Sequence, residues 1–315
     1  MRILFWGTPD FAVPPLRALL GEGFEVVGVV TQPDKPQGRS RSQLVASPVK
    51  RVALEEGIPV LQPERPRGPE FVAQLRDLAP ELSVVVAYGH ILPKDVIDLP
   101  PLGTLNIHAS LLPQLRGAAP IQAAIRQGMT ETGVTIMRMV PALDAGPIVL
   151  AAPTPIADDE TYGELQQRLS ELGALALVEA LALISVGAGK DTPQDDSRAT
   201  FAPKVEREDA RVHWDNGAVD VARTVRAFDP RPGAFTTLHG AEVKLFGARV
   251  IADLPDEAPS GAPGTVLTLG DAMLVACGGG SAVRILEVQP AGKRRLTAAD
   301  WARGRAVAVG DRFGA

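Results

Sequence analysis

With 315 residues, 45% of them apolar and 22% charged, the chain carries enough apolar material for a sizeable core and about two domains. A formal net charge of −5 excludes a protein that coats nucleic acid through a global positive field, so a polyanionic partner has to be met by local patches. Cys277 is the single cysteine, which excludes an internal disulfide and favours a reducing, cytoplasmic setting.

In chain order, the start MRILFWG reads as a buried strand rather than a signal peptide. No uncharged apolar run has membrane-spanning length, so no membrane partner is expected. Strand signals then recur at EVVGVVTQ, IPVLQP, LSVVVAYG, TLNIHAS, TGVTIMRMV and GPIVLAAP. Helical stretches separate several of them: FAVPPLRALLGEG, SPVKRVALEEG, EFVAQLRDLAP and PIQAAIRQG. Near-continuous apolar strands alternating with helices predict a parallel-type sheet covered by helices, of Rossmann-like layout. The long apolar stretch 161–187 predicts a closing helix, ended by Gly187 and Gly189. A polar, aperiodic segment follows and reads as a linker. Beyond it the pattern changes to short strands broken by Gly and Pro, with one clear helix at VDVARTVRAF, which suggests a small antiparallel barrel or sandwich. The expected domains are therefore 1–189 and 209–315, joined by a linker over 190–208.

The first strand-to-helix turn, Gly7-Thr8-Pro9-Asp10-Phe11, lacks the glycine spacing that lets backbone approach a pyrophosphate, so a nicotinamide or flavin site is not expected there. Chemistry-bearing residues gather instead in LNIHASLLPQLRGAAP, residues 105–120. Along a strand, residues two apart share a face, so Asn106 and His108 project together while Leu105 and Ile107 face the core. Ligands of open α/β sheets sit beyond the carboxyl ends of the strands, where this pair falls. An Asn amide can donate to a developing oxyanion and a His can move a proton, although a solvated or capping pair has the same pattern. Asp144 stands alone in an apolar turn; it is either a turn residue bonding its own backbone or a carboxylate set apart for proton chemistry. The basic, Pro/Gly-punctuated stretch from Gln32 carries Lys35, Arg39 and Arg41, with Lys50 and Arg51 just after; it either grips phosphates or is a solvated loop. The triplet Lys293-Arg294-Arg295 admits the same two readings. Four scattered histidines and a lone cysteine do not make a zinc site, and no metal is expected.

Taken together, the segments FWGTPDFA, TQPDKPQGR, SPVK, VVVAYGHILP, LNIHASLLPQLRGAAPIQ, ETGVTIMRM, LDAGPIV, RAFDPRPGAF and VQPAGKRRLTAADW resemble the methionyl-tRNA formyltransferase family through nearly the whole chain. The resemblance implies a Rossmann-like formyltransferase domain followed by a small OB-fold-like β-barrel. It implies 10-formyltetrahydrofolate as formyl donor and the α-amino group of methionine on initiator Met-tRNA as acceptor, in a cytoplasmic monomer that uses no metal. Asn106, His108 and Asp144 fall on the family's catalytic positions. Ser110, Leu111, Leu112 and Pro113 fall on the segment against the folate, and Tyr88, Gly89, Ile91 and Leu92 on the stretch that holds the pterin end. Lys35, Arg39 and Arg41 match the loop that meets the tRNA acceptor arm, and Lys293, Arg294 and Arg295 would add phosphate contacts. The chain departs from the family at Gln114-Leu115, where a basic residue and an aromatic are usual, and at Pro147, where an acid is usual. The nearest rival is formyl transfer to the amino sugar of a nucleotide-sugar, which shares the Asn-His-Asp set. A formylfolate hydrolase and a catalytically silent tRNA-binding module stand further off.

Overall fold

The structure is a computed structural model that describes residues 1–37, 43–251 and 260–314. It divides into two compact units: Met1–Pro120, Glu131–Pro155 and Gln166–Ala202 form the first, and Ile121–Thr130, Ile156–Leu165 and Pro203–Ala315 the second.

The strands of the first unit are β1 (Arg2–Gly7), β2 (Glu25–Val30), β3 (Lys35–Gln37), β4 (Gln43–Val45), β5 (Val60–Leu61), β6 (Leu82–Val86), β7 (Thr104–His108), β8 (Glu131–Arg138) and β9 (Ile148–Pro155). Seven of these form one sheet in the order β5-β2-β1-β6-β7-β8-β9, and β3 pairs with β4 apart from it. From β5 to β7 the pairing is parallel, as the alternating pattern predicts. At the edge of this parallel-type sheet, β8 pairs antiparallel with both β7 and β9, a detail the alternating pattern does not predict. The loop 139–147 between β8 and β9 is too short for the crossover that a parallel pair needs.

Helices α1 (Val13–Gly21), α2 (Pro48–Glu55), α3 (Pro69–Asp77), α4 (Lys94–Ile97), α5 (Pro120–Arg126) and α6 (Tyr162–Ser185) follow the expected stretches. Prolines stand in the first turn of α1, where the missing N–H has no helical partner to lose. Ser47 caps α2 by accepting from the Lys50 N–H at 3.1 Å. On one side of the sheet, Leu4, Trp6, Phe71, Val85 and Tyr88 share a core, with the Trp6 ring edge-on to Tyr88 at 5.3 Å and to Phe71 at 6.0 Å. Burying each such side chain stabilises the fold by about 1.5–3 kcal/mol. On β7, Leu105 and Ile107 are buried as predicted. Gly173 lets α6 come close to that strand, since a Cβ there would lie 3.0 Å from Ile107.

The segment expected as a linker is not loose over 190–202. Thr192 and Ile148 exchange N–H···O bonds of 2.8 Å, and Arg116 bridges to Phe201, so this stretch belongs to the first unit. Its backbone is satisfied by isolated bridges to the start of β9 and to the loop at Arg116 rather than by a helix or strand of its own, which leaves no periodic trace in the sequence. Nor is the boundary a single cut, because 121–130 and 156–165 group with the second unit.

That second unit contains α7 (Ala218–Ala227), β10 (Ala234–Leu238), β11 (Ala241–Val250), β12 (Val266–Leu269), β13 (Met273–Ala276), β14 (Ala282–Pro290), β15 (Leu296–Thr297) and α8 (Ala298–Arg303). Its strands pair antiparallel in the order β10-β11-β14-β13-β12, with β15 on β14: a small, barrel-like antiparallel domain, as the short-strand pattern predicts. Trp214 and Phe313 stack at 5.5 Å within it, and Trp301 and Phe313 at 6.3 Å.

Candidate active site

The carboxyl end of β7 brings Asn106 and His108 to the same face, with Asn106 opposite Met137 and His108 opposite Thr135 on β8. Asn106 is half-buried, and its amide has no hydrogen-bond partner among the described residues. His108 is buried, and its Nε2 lies 2.9 Å from the Leu115 carbonyl. A carbonyl oxygen can only accept, so this bond fixes a proton on Nε2. The other nitrogen, Nδ1, faces Asp144, whose Oδ2 is 3.7 Å away. That separation is beyond a hydrogen bond but well within strong electrostatic reach.

Two backbone distortions hold these groups. Leu115 has φ +56° and Asp144 φ +47°, left-handed conformations that non-glycine residues adopt at a cost of about 1–3 kcal/mol and that cluster at functional sites. Asp144 does not bond its own turn: its Oδ2 accepts from the Gly117 N–H at 2.7 Å, on a different loop. Gly117 has φ +118°, and a Cβ there would lie 2.5 Å from the Ala202 carbonyl, so only glycine fits. The departure at Gln114-Leu115 thus falls on backbone that supports His108. Pro147 accepts the Arg138 N–H at 2.9 Å through its carbonyl, a role open to any residue.

Ser110 to Pro113 wraps the end of β8. Thr135 donates to the Ser110 carbonyl at 2.7 Å and accepts from the Leu112 N–H at 3.1 Å, while the Ser110 hydroxyl donates to the Gln114 carbonyl at 2.5 Å. Ser110 and Leu112 are buried by this; Leu111 and Pro113 remain half-buried and reachable. In the stretch from Tyr88, the side chains differ in their access. The Tyr88 ring is core, its hydroxyl has no partner among the described residues, and burial pushes its phenol up to about 12. Only its carbonyl serves the strand ends, accepting from Gln32 Nε2 at 3.0 Å and Thr8 Oγ1 at 3.1 Å. Leu92 is likewise core, whereas Gly89 is exposed and Ile91 is 88% exposed.

Among the candidate cations, Lys35 is exposed on β3, and Arg39 and Arg41 lie outside the described residues. Lys50 is occupied by Asp34 at 2.7 Å; that bond, with one from Gln62, holds the Asp34 carboxyl below its usual range. Lys293 and Arg294 are exposed. Arg295 is exposed as well, but it is already partnered. It lies 4.1 Å over the Phe246 ring, reaches Asp229 at 3.0 Å and bonds Glu287 through Nε at 2.7 Å, so it serves the packing of its own domain.

Arg116, Gln194 and Thr200 escaped the sequence reading. Gln194 Nε2 donates to the Asp144 and Gly146 carbonyls at 2.8 and 2.7 Å, and its Oε1 accepts from the buried Arg116 at 2.8 Å. The Thr200 hydroxyl accepts from the Leu115 N–H at 2.9 Å. A buried arginine inside LNIHASLLPQLRGAAP was the one available hint, since such a charge needs partners. Among the described residues no group of three or more His, Cys, Asp or Glu is placed to hold a metal ion. No described helix is long and apolar enough to cross a membrane.

An open amide, an imidazole and a carboxylate at the strand ends of a Rossmann-like sheet suit transfer of a carbonyl-bearing group. Accordingly, residues 1–181 match the family model for formyl transferase, and residues 204–306 match that for the formyl transferase C-terminal domain. The chain thus belongs to the formyltransferases and carries both of their family domains. The methionyl-tRNA formyltransferase of Methylococcus capsulatus is 49% identical over 314 residues, with 100% of each chain covered. The chain belongs to the methionyl-tRNA formyltransferase family. Among solved structures, HypX from Aquifex aeolicus in complex with tetrahydrofolic acid is similar, with a TM-score of 0.67 and 25% identity over 95% of this chain; the match spans 46% of HypX. An N-formyltransferase from Helicobacter canadensis, solved with folinic acid and dTDP-3-aminofucose, has a TM-score of 0.66 at 13% identity, covering 91% of this chain and 98% of that one. That likeness shows the fold alone.

Proposed function

We propose that this enzyme transfers the formyl group of 10-formyltetrahydrofolate to the α-amino group of methionine carried by initiator tRNA, giving N-formylmethionyl-tRNA for translation initiation. The observation that carries the choice of acceptor is the 49% identity to a methionyl-tRNA formyltransferase across the full length of both chains. Asn106, His108 and Asp144 are the catalytic residues in this reading.

The neutral amine attacks the formyl carbon, the bond from that carbon to N10 of the folate breaks, and one proton passes from the amine to N10. Charge develops on the formyl oxygen in between, and stabilising it is where most of the rate is to be gained. The Asn106 amide, with no partner to give up among the described residues, donates to that oxygen. One such donor contributes about 3 kcal/mol, or roughly a hundredfold or more in rate. His108 is fixed by Leu115 through Nε2, so its Nδ1 is the atom that takes part in the proton movement, and Asp144 holds and orients it there. Leu111, Pro113, Gly89 and Ile91 are the reachable members of the donor-side set. Lys35, Lys293 and Arg294, with Arg39 and Arg41, take the acceptor arm by its phosphates, so affinity falls as salt rises. The enzyme acts as a monomer in the cytoplasm, and none of these steps calls for a metal.

The test is formyl transfer from 10-formyltetrahydrofolate, with charged initiator Met-tRNA, uncharged tRNA and a dTDP-amino sugar as parallel acceptors. Product from Met-tRNA alone supports the reading. Product from the sugar alone transfers the chemistry to the rival acceptor. Asp144→Asn lowers kcat by on the order of a hundredfold or more with the thermal midpoint retained; near-normal turnover in that variant removes Asp144 from the mechanism.

A further inference from the structure

The segment 192–202 touches the supports of both His108 and Asp144. Thr200 holds the Leu115 N–H at 2.9 Å, and the Leu115 carbonyl in turn holds His108 Nε2. Gln194 spans the other side, its two N–H groups closing on the carbonyls of Asp144 and Gly146 at 2.8 and 2.7 Å. Arg116 fixes the Gln194 amide by donating from both Nε, at 3.1 Å, and Nη2, at 2.8 Å, and is itself tied to Asp196 at 2.7 Å. The direction of the amide is therefore unambiguous: its oxygen faces a guanidinium that only donates, and its nitrogen faces two carbonyls that only accept.

These bonds act on the residue that most needs them. Asp144 sits at φ +47°, a left-handed conformation that an L-residue holds at some cost, and its carboxylate is aimed away from its own turn toward Gly117 and His108, so it does not brace that turn itself. Something outside the loop has to hold that conformation. We propose that Gln194 is a positioning residue for the formyl transfer: clamped by Arg116, it locks the Asp144 loop so that the carboxylate faces His108. The proposal rests on the catalytic reading of Asp144. Gln194 touches no reacting atom. It acts on kcat through the placement of Asp144, and a misplacement of about 1 Å is enough to cost on the order of a hundredfold in rate.

Gln194→Glu in the full-length enzyme separates positioning from folding. The new side chain has the same shape and still accepts from Arg116, but it presents oxygen to the two loop carbonyls. The expected result is a fall in kcat of about 10- to 100-fold. KM for 10-formyltetrahydrofolate and for Met-tRNA should stay within about threefold, and the thermal midpoint should hold within a few degrees. In an Asp144→Asn background the same change is expected to cost less than about threefold, because no productive carboxylate is left to place. Unchanged kcat in Gln194→Glu, or the same loss in both backgrounds, overturns the proposal while leaving Asp144 catalytic. Near-normal turnover in Asp144→Asn alone overturns the catalytic reading, and the proposal falls with it. If the added carboxylate prevents folding, Gln194→Met, uncharged and of similar length, gives the same comparison.

Discussion

Two polar clusters stand beside strand ends in this protein, one at β7 and one at β14, and they spend their hydrogen bonds differently. Beside β14, Arg295 is stacked on Phe246 and paired with both Asp229 and Glu287, while the second oxygen of Asp229 accepts from the Gly247 N–H at 3.0 Å. Every strong donor and acceptor there has a protein partner. At β7 the supports are equally well made, with Leu115 on Nε2 and Gly117 on Asp144, but the working ends are left open. Asn106 has an amide without a described partner, and Nδ1 stops 3.7 Å short of the carboxylate. A ligand entering the cluster at β14 would have to break bonds, whereas one entering that at β7 completes them.

Asn106→Ala tests this most severely. It should lower kcat by about 100- to 1000-fold, the cost of one missing oxyanion donor. The thermal midpoint should stay close to that of the parent, because no bond among the described residues is lost. A loss of stability without a loss of rate would make the open amide an artefact of its surroundings rather than a site. Arg295→Met should do the reverse. Asp229 is 4% exposed and would lose its cation, so unfolding by denaturant should show a loss of about 1–3 kcal/mol with kcat unchanged. Full stability with weakened Met-tRNA turnover would instead make Arg295 a phosphate contact.

The pair on β7 was legible because a period of two places Asn106 and His108 together and a polar pair in an apolar strand stands out. The helix-strand alternation was legible for the same kind of reason. The direction of β8 and β9 was not, since an apolar run marks a buried strand without saying which way it runs. The three cations Lys293, Arg294 and Arg295 look alike in sequence; what separates them is Asp229, 66 residues away. Gln194 was hidden similarly, in an aperiodic stretch whose two bonds to the Asp144 loop span 50 and 48 residues. Local pattern finds groups that act from regular elements and misses supports that reach in from irregular backbone.

Asp34 extends the satisfied class to the first unit. Its oxygens accept from Lys50 at 2.7 Å and Gln62 at 2.8 Å, which holds its carboxyl below the usual range. A depressed carboxyl stabilises the fold above its unfolded value of about 3.9 and loses that contribution as pH falls through its folded value. Asp34→Asn should therefore be less stable than the parent at pH 7, and the gap should close in acid below about pH 4. A gap independent of pH would mean that the lost packing, not the charge, matters.

Tyr88 marks the limit of the comparison, because its hydroxyl is also without a partner among the described residues and yet is closed inside the core. What separates it from Asn106 is access: its ring is 1% exposed and wedged against Trp6, so no substrate can complete its bonding without opening the core. An unmet polar group of that kind is a cost rather than a capacity, about 1–3 kcal/mol when fully desolvated. Tyr88→Phe keeps the ring and removes the cost, so stability at pH 7 should be unchanged or higher, with kcat and the KM for 10-formyltetrahydrofolate unaltered. Burial has pushed the phenol up to about 12, so the unfolded chain ionises first, near pH 10, and the parent loses stability between those two values. The variant lacks that loss, and its advantage in unfolding free energy should widen as pH is raised from about 10 to about 12. A raised KM for the folate with no change in stability would show that the hydroxyl does reach the donor, and would return Tyr88 to the place that the family resemblance assigned it.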